Sequence, residues 1–290
     1  MKNAQVFAVA HRREAPLLAL RVAGILRDAG VEVALEPTLA EHEEAVGFAV
    51  IPSERLGEAD MALAFGGDGT VLRVVSYAAR HGTPVLGVNM GQFGFITYCR
   101  PAEVETAMAN VLSGNYHVEE RLMLRADVMR AGTCAATAYG LNEIVMQRGT
   151  HGKMMTVDIS INDIPVVDYP SDGVMVATPT GSTAYNLSAG GPVASPTLDA
   201  MLLTPLTAHT LGARPLVLEA GSVIRIRIAT RGEAVLVADG DSLYFLEDSD
   251  EIVIRKAEYP AKLLLTSRND FYERLRKRLL FGVRRAERQD

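Results

Sequence analysis

The sequence predicts two kinds of domain in one chain: an α/β domain with a parallel sheet, followed by an all-β, sandwich-like domain. In the first third, short apolar runs alternate with segments whose apolar residues recur at helical spacing. From about residue 116 onward, short β-like runs separated by turn signals replace that alternation. Hydrophobic residues make up 48% of the 290 residues and charged residues 22%, so the chain can bury a sizeable core.

The α/β domain is predicted from strand-like and helix-like segments in alternating order. Two segments are helical and end at a glycine, "EAPLLALRVAGILRDAG" (14–30) and "TVLRVVSYAARHG" (70–82). The strand-like segments are "QVFAVA" (5–10), "VEVALE" (31–36), "ADMALAF" (59–65) and "PVLGVN" (84–89). This order favours a parallel sheet with helices on both of its faces.

The β domain is predicted from runs of five to thirteen residues with little helical periodicity. They are "LMLRADVMR", "TVDISIN", "IPVVDY", "GVMVAT", "SVIRIRIAT", "AVLVADGDSLYFL", "EIVIRKA" and "KLLLT". Asn162-Asp163 and Asp239-Gly240 lie where hairpin turns are expected, because both pairs tolerate the left-handed backbone that tight hairpins need.

The C-terminal segment predicts an amphipathic helix. Its apolar residues Phe271, Leu275, Leu279 and Val283 fall four apart, with a charged back. Packing on a domain or a partner subunit explains this stripe better than an arm for nucleic acid or membrane. We therefore expect an α/β domain over 1–115, a β-sandwich-like domain over 116–265, and a helix or tail over 266–290 that returns to the first domain.

Charge and cysteine content exclude several classes of protein. The formal net charge is −6, whereas a nucleic-acid-binding protein that contacts phosphates over a broad face is usually basic. The two cysteines, Cys99 and Cys134, form neither a disulfide framework nor a zinc motif. The N-terminal apolar run is too short for a signal peptide, and no stretch reaches the length of a membrane span. We expect a soluble, cytoplasmic protein that binds neither nucleic acid nor membrane.

The stretch "AFGGDGTVLR" (64–73) is the first candidate site. A glycine loop between a strand and a helix suits a phosphate, because backbone N–H groups and the helix dipole favour negative charge there. Asp68 would repel a phosphate, so it fits better as a proton acceptor for an attacking hydroxyl or as a metal ligand. The alternative is that Asp68 only caps the following helix. Neither a P-loop nor a GxGxxG fingerprint is present.

Two further stretches are polar where a β domain is usually apolar. "TPTGSTAYNLSAGGP" (178–192) carries many hydroxyl groups, and Tyr185 offers a ring for stacking on a base or a nicotinamide. The alternative is a structural loop whose hydroxyls bind their own backbone. Asn142 and Glu143 interrupt an apolar strand-like run, which is acceptable at a strand end that faces a cleft.

Together, "GGDGT" (66–70), "NE" (142–143) and "SDGVMVATPTGSTAYNLSAGGP" (171–192) resemble the NAD kinase family, as does "LTPLTAHTLGARPLVL" (203–218). The glycine motif alone also resembles the loops of lipid kinases and phosphofructokinase, whereas the long threonine-glycine-tyrosine segment is specific to NAD kinases. The resemblance implies a Rossmann-like parallel sheet with a phosphofructokinase-like glycine loop and a β-sandwich-like domain that binds NAD. It also implies transfer of a phosphoryl group to the 2′-hydroxyl of the adenosine ribose of NAD, which gives NADP.

The resemblance also implies the roles of individual residues. Asp68 would be the base or orienter for the hydroxyl, Asn142 and Glu143 would contact the adenosine, and Asp172 the nicotinamide side. The dinucleotide would be lined by Thr183, Ala184, Tyr185, Asn186, Leu187 and Ser188. The remaining expected binding residues are Gly66, Gly67, Gly69, Thr70, Arg73, Lys153, Pro170 and Asp241. Relatives often carry a basic or polar residue at the position of Pro170, and Gln or His at the position of Asp241.

The implied donor is ATP or polyphosphate with a divalent metal such as Mg²⁺, and no residue is assigned as a metal ligand. The family forms homodimers or homotetramers, and the tail stripe is compatible with either. Two other functions stay open from the residues alone, a lipid kinase of the diacylglycerol type and a non-catalytic NAD(H)-binding sensor. Asp68 is further expected to be needed for phosphoryl transfer but dispensable for folding.

Overall fold

The computed structural model of the chain describes residues 1–10, 12, 14–91, 94–149, 154–208, 210, 212–230, 232–266 and 271–279. These residues form two compact units. The first combines residues 1–119 with the described residues from 262 onward, and the second comprises residues 120–261. No helix among the described residues is both long enough and apolar enough to cross a membrane.

The strands of the described chain follow one another in this order: β1 (Asn3–Ala8), β2 (Glu32–Leu35), β3 (Ala49–Val50), β4 (Met61–Gly66), β5 (Val85–Asn89), β6 (His117–Arg121), β7 (Leu124–Arg130), β8 (Thr133–Gly140), β9 (Glu143–Arg148), β10 (Met155–Ile161), β11 (Ile164–Ser171), β12 (Gly173–Ala177), β13 (Ala200–Leu206), β14 (Leu216–Glu219), β15 (Ile224–Ala229), β16 (Ala234–Ala238), β17 (Ser242–Leu246), β18 (Glu251–Lys256) and β19 (Ala261–Leu265). The α-helices are α1 (Glu14–Asp28), α2 (Pro37–Ala40), α3 (Asp68–Ala78), α4 (Val104–Leu112), α5 (Tyr185–Ser188) and α6 (Phe271–Leu279).

The first unit is built on a seven-stranded sheet in the order β3-β2-β1-β4-β5-β19-β6. The pairs from β3 to β19 along this order are parallel. Helices cover both faces of this sheet. Successive side chains of a strand point to opposite faces, so neighbouring residues of β1 contact different helices. Val6 belongs to the core shared with α1 and α4, whereas the ring of its neighbour Phe7 lies 6.4 Å from that of Tyr77 on α3.

The second unit is a sandwich of two six-stranded antiparallel sheets. Their strand orders are β11-β10-β15-β18-β7-β8 and β14-β13-β12-β9-β16-β17. One buried core contains residues of both sheets, such as Val128 and Ile226 from the first and Met146 and Val176 from the second. The predicted fold class, an α/β domain plus an all-β sandwich-like domain, is thereby confirmed.

Local signals mark several element ends correctly. The helix predicted to end at Gly82 does so, after one 3₁₀ turn over Ala79–His81. Both predicted hairpin turns form with left-handed residues, Asn162 and Asp163 at φ 51° and 64°, and Asp239 and Gly240 at φ 49° and 82°. The two-residue loop Asn162-Asp163 matches the twist of its flanking strands, whereas the second loop spans the three residues 239–241.

The strand-like run "KLLLT" is the main topological difference from the sequence analysis. We predicted it as part of the β domain, and that placement is wrong. Its strand β19 pairs in parallel with β5, where Leu263 lies opposite Val85, and it therefore belongs to the sheet of the first unit. The sequence of an apolar run does not indicate which sheet the strand joins, because the sheets of both units bury Leu and Val equally well.

Candidate active site

The glycine loop lies at the carboxyl end of β4, the edge at which open α/β sheets bind ligands. Gly67 has an extended backbone and precedes α3, whose first residue is Asp68. A side chain at Gly66 would collide with the hydroxyl group of Thr70, so this position requires glycine. Gly69 is exposed in the first turn of the helix, which allows a ligand to approach the backbone closely.

The Asp68 carboxylate is held by the segment 94–97. Its Oδ2 accepts a hydrogen bond of 2.8 Å from the backbone N–H of Phe95. Its Oδ1 accepts bonds of 3.3 Å from the N–H of Ile96 and 3.1 Å from the hydroxyl of Thr97. Gly94 has no room for a side chain, because a Cβ there would meet Oδ1 of Asp68. The N-cap of α3 is Gly67, and the described side-chain hydrogen bonds of Asp68 come from residues 95–97, which argues against the alternative that Asp68 only caps the helix.

Arg73 is one and a half turns along the same helix and carries the basic charge expected to face phosphate. Its Nη2 donates to both carboxylate oxygens of Glu36, at 3.1 and 3.3 Å. Glu36 is buried and also accepts from the N–H of Ala8, at 2.8 Å. The guanidinium of Arg73 is thus already neutralised by a carboxylate while its side chain is 40% exposed.

In the second unit, Asn142 and Glu143 lie at the start of β9, where the hairpin residue Asp239 meets them. Oδ2 of Asp239 accepts from the N–H of Leu141 at 2.7 Å. Its Oδ1 accepts from the N–H groups of Asn142 and Glu143, at 2.8 and 3.0 Å. The carbonyl of Asn142 in turn accepts from the N–H of Thr178, which joins this corner to the polar stretch. Asp239 therefore fixes the backbone of the motif.

The Glu143 side chain is in an unusual electrostatic environment. It is 8% exposed, and its Oε2 has no hydrogen-bond partner among the described residues. Burial, and secondly the charge of Asp239, raise the pKa of Glu143 to about 8. Burial also raises the pKa of Asp239, although its three backbone donors oppose that shift. A carboxyl of this kind favours a ligand that brings a hydrogen bond to it.

A cavity of about 730 Å³ lies beside Tyr185 in the second unit. Its wall combines charged groups with apolar surface, including Asp172, Arg148 and Phe245. Oδ1 of Asp172 accepts from Nε of Arg148 at 2.6 Å. The Tyr185 ring is 42% exposed and open to a flat ring system. This volume is within the usual range of small-molecule sites.

The loop over residues 183–188 does not present all of its side chains in the same way. Tyr185 and Ser188 are exposed, and Thr183, Ala184 and Leu187 are partly buried. Asn186 is fully buried, and its amide oxygen accepts from the hydroxyl of Thr204 at 2.7 Å. Its amide nitrogen donates to the carbonyls of Ser182 and Pro192. The side chain of Asn186 thus stabilises the loop from inside.

The remaining sequence-predicted residues are dispersed. Pro170 is exposed on β11, paired across the sheet with Thr156. Asp241 is exposed at the β16–β17 hairpin, where its N–H donates to the carbonyl of Ala238. Lys153 lies outside the described residues. Within the part of the chain that the structure describes, no group of three or more His, Cys, Asp or Glu side chains is close enough to hold a metal ion.

Sequence analysis missed the residues that hold the two motif acids in place. Gly94 and Thr97 lie in "GFITY", which has no recognisable pattern of its own. Asp239 was read only as half of a hairpin turn, although an acid before glycine at a turn can also accept backbone N–H groups. The short distances to Asp68 and to residues 141–143 appear only when the chain is folded.

Comparison with known proteins follows the same division of the chain. The family model described as "ATP-NAD kinase N-terminal domain" matches residues 6–116, and that described as "ATP-NAD kinase C-terminal domain" matches residues 141–266. An NAD kinase of Symbiobacterium thermophilum is 41% identical over 255 residues, which cover 88% of this chain and 90% of that protein.

Two solved structures are similar over nearly the whole chain. A yeast NADH kinase complexed with NADH gives a TM-score of 0.91 at 26% identity, covering 99% of this chain and 90% of that one. An NAD kinase from Archaeoglobus fulgidus in complex with ATP gives a TM-score of 0.73 at 28% identity, covering 95% and 97%. With both family models matched in order, the chain belongs to the NAD kinase family.

Proposed function

We propose that this chain transfers the terminal phosphoryl group of ATP to the 2′-hydroxyl of the adenosine ribose of NAD, and so forms NADP. The observation that carries the proposal is the Asp68 carboxylate, held by three donors beside the exposed Gly69 of the glycine loop. Membership of the NAD kinase family supports the reaction. The complexes of two similar proteins with ATP and with NADH support the two ligands.

Asp68 is proposed to accept the hydroxyl proton. The 2′-oxygen attacks the γ-phosphorus, the bond from that phosphorus to the β–γ bridging oxygen breaks, and ADP leaves with that oxygen. The proton of the hydroxyl passes to the carboxylate. Oδ2 of Asp68 accepts a single described hydrogen bond, from Phe95, and so retains a lone pair for this proton.

A divalent cation such as Mg²⁺ is proposed to arrive with the phosphates of ATP as part of the substrate. The described residues offer no three-ligand cluster for it. Such a cation is commonly held by substrate phosphates with only one or two carboxylates. Its chemistry would be to neutralise charge on the donor phosphates. Polyphosphate presents the same phosphoanhydride group and is the alternative donor.

In the second unit, we propose that the cavity beside Tyr185 receives the nicotinamide side of NAD, with Asp172 at its wall. The exposed ring of Tyr185 supplies a stacking surface. Asn142 and Glu143 are proposed to contact the adenosine, because Oε2 of Glu143 is buried and has no described partner. The enclosed Asn186 is assigned to support of the loop, not to ligand contact.

We further propose that the protein works in the cytoplasm as a homodimer or homotetramer. The sequence-based expectations and the apolar residues of the C-terminal helix support this. Phe271, Leu275 and Leu279 are partly buried, whereas Val283 of the predicted stripe lies outside the described residues. Sedimentation of the purified chain over a range of concentrations tests the assembly, and a monomer throughout would contradict it.

Substitution of Asp68 tests the proposed reaction. In Asp68→Asn, NADP formation in a coupled assay with ATP should fall by about 10²–10⁴-fold in kcat, because the proton acceptor is removed. NAD binding, measured by calorimetry, should change little. The control is Asp28→Asn, at an exposed carboxylate of the same unit, which should leave both kcat and NAD binding unchanged.

The assay is repeated with polyphosphate as donor and NADH as acceptor, which defines the substrate pair. Near-normal turnover of Asp68→Asn would remove Asp68 from the reaction. NAD binding by the wild-type chain without NADP formation from any donor would refute the proposed kinase reaction as a whole.

A further inference from the structure

The C-terminal helix α6 contains one buried basic residue among exposed ones. Arg274 is 9% exposed, whereas Arg276, Lys277 and Arg278 are exposed. Burial of a guanidinium is unfavourable unless its donors find acceptors. Its position therefore points to contacts made inside the first unit.

Two acceptors of Arg274 belong to the segment that holds Asp68. Its Nη1 donates to the carbonyl of Gly94 at 3.2 Å and to that of Thr97 at 2.8 Å. The guanidinium carbon also lies 4.3 Å from the centre of the Tyr98 ring, within the range of cation–π attraction. One cation thus clamps both ends of the turn over residues 94–97.

The same turn binds Asp68 with its donors. The carbonyl of Gly94 and the N–H of Phe95 belong to a single peptide group, which accepts from Arg274 at one end and donates to Asp68 at the other. In this peptide group the cation at the carbonyl and the anion at the N–H polarise the amide in the same sense, so the two bonds strengthen one another. Thr97 also contacts both residues, through separate groups: its carbonyl accepts from Arg274 and its hydroxyl donates to Asp68.

We propose that Arg274 is a positioning residue for Asp68, acting through the turn over residues 94–97. The proposal rests on the proposed function, in which the Asp68 carboxylate takes the proton of the attacking hydroxyl. Arg274 fixes the turn, the turn fixes the carboxylate, and the carboxylate is thereby held in the orientation that the transfer requires. In this scheme Arg274 acts on Asp68 through the turn and does not bind the substrate.

The test is a double-substitution cycle on the full chain. Arg274→Met keeps most of the side-chain volume and removes the donors. It should lower kcat for NADP formation about 10–100-fold, as expected for a misplaced reacting group, and change KM for NAD and ATP less than about 3-fold. Arg276→Met is the matched control, because Arg276 is exposed on the same helix. It should leave kcat unchanged.

The Asp68→Asn background separates positioning from other effects. There Arg274→Met should lower kcat no further than about 2-fold, since no carboxylate remains to be positioned. An equal loss in both backgrounds would overturn the proposal, as would a normal kcat in a folded Arg274→Met. If Arg274→Met does not fold, Arg274→Lys is measured in its place, and we expect an intermediate loss of kcat. A normal kcat in Arg274→Lys would then overturn the proposal. Near-normal turnover of Asp68→Asn alone would instead refute the proposed role of Asp68.

Discussion

Two motif carboxylates, Asp68 in the first unit and Glu143 in the second, are held in opposite ways. Asp68 is partly exposed and accepts three hydrogen bonds from the turn over residues 94–97. Glu143 is buried, and its Oε2 has no partner among the described residues. The donors that would satisfy a carboxylate in this corner go instead to Asp239.

The difference teaches that the surroundings of an acid, not its residue type, decide its chemistry. Hydrogen bonds to a carboxylate favour its charged form, whereas burial disfavours it. Burial raises the pKa of Glu143, and the negative charge of Asp239 raises it further. The first carboxyl is thus arranged to stay in one orientation, and the second to respond to pH and to a ligand.

The largest effect is expected where the support of Asp68 is displaced sterically. In Gly94→Ala the new methyl group would collide with Oδ1 of Asp68, so the carboxylate or the turn must move. We expect kcat for NADP formation to fall by about 10²-fold or more, together with a lower melting temperature. Gly69→Ala is the stability control, because a Cβ there meets no atom. Wild-type kcat in Gly94→Ala would show that the Asp68 geometry is not needed.

A smaller effect is expected from removal of the acceptor at Asp239. Asp239→Ala leaves the N–H groups of Leu141, Asn142 and Glu143 without their acceptor, and alanine tolerates the φ of 49° poorly. Hydrogen exchange of these three amides should become faster, by an amount equivalent to about 2–4 kcal/mol of local stability. Asp239→Asn keeps one acceptor oxygen and tolerates positive φ, so it should lose less. Unchanged exchange in both variants would contradict the assigned role.

A third effect, on stability alone, is a pH dependence at Glu143. Its folded pKa of about 8 exceeds the value of 4.5 expected in the unfolded chain, so the folded state binds more protons between these values. The free energy of unfolding should therefore fall as the pH rises from about 4.5 to about 8. In Glu143→Gln this part of the slope should disappear, while Glu44→Gln, an exposed control, should retain it. Parallel profiles for wild type and Glu143→Gln would refute the raised pKa.

Much of the fold followed from local patterns in the sequence. The run of residues 70–82 has helical spacing and a terminal glycine, and it forms α3 with its final turn. The turn pairs Asn162-Asp163 and Asp239-Gly240 are equally local signals. Helix α4 also carries such a signal in Val104, Ala107, Met108 and Val111, which our sequence analysis did not use. The partner strand of β19 had no local signal, since pairing depends on distant residues.

The candidate site was less predictable because its supports are distant in sequence. Asp68 and Tyr185 were identified from their own motifs, whereas the turn that holds Asp68 was not. That Asp68 is dispensable for folding stays a prediction. Its partners lie 27 to 29 residues later, and the turn that contains them binds Arg274 through Gly94 and Thr97, which lie 180 and 177 residues before it. The tail was read for its apolar stripe, whereas its most buried described residue is the cation Arg274.

The place of β19 in the first sheet has a consequence for biosynthesis. Residues 120–261 form their unit without a break, but the sheet of the first unit needs a strand that follows them. Because the ribosome synthesises the chain from its N-terminus, β5 cannot pair with β19 until the whole second unit has been synthesised. We expect the nascent first 119 residues to remain protease-sensitive until then, because a parallel edge strand without its partner exposes unpaired backbone groups.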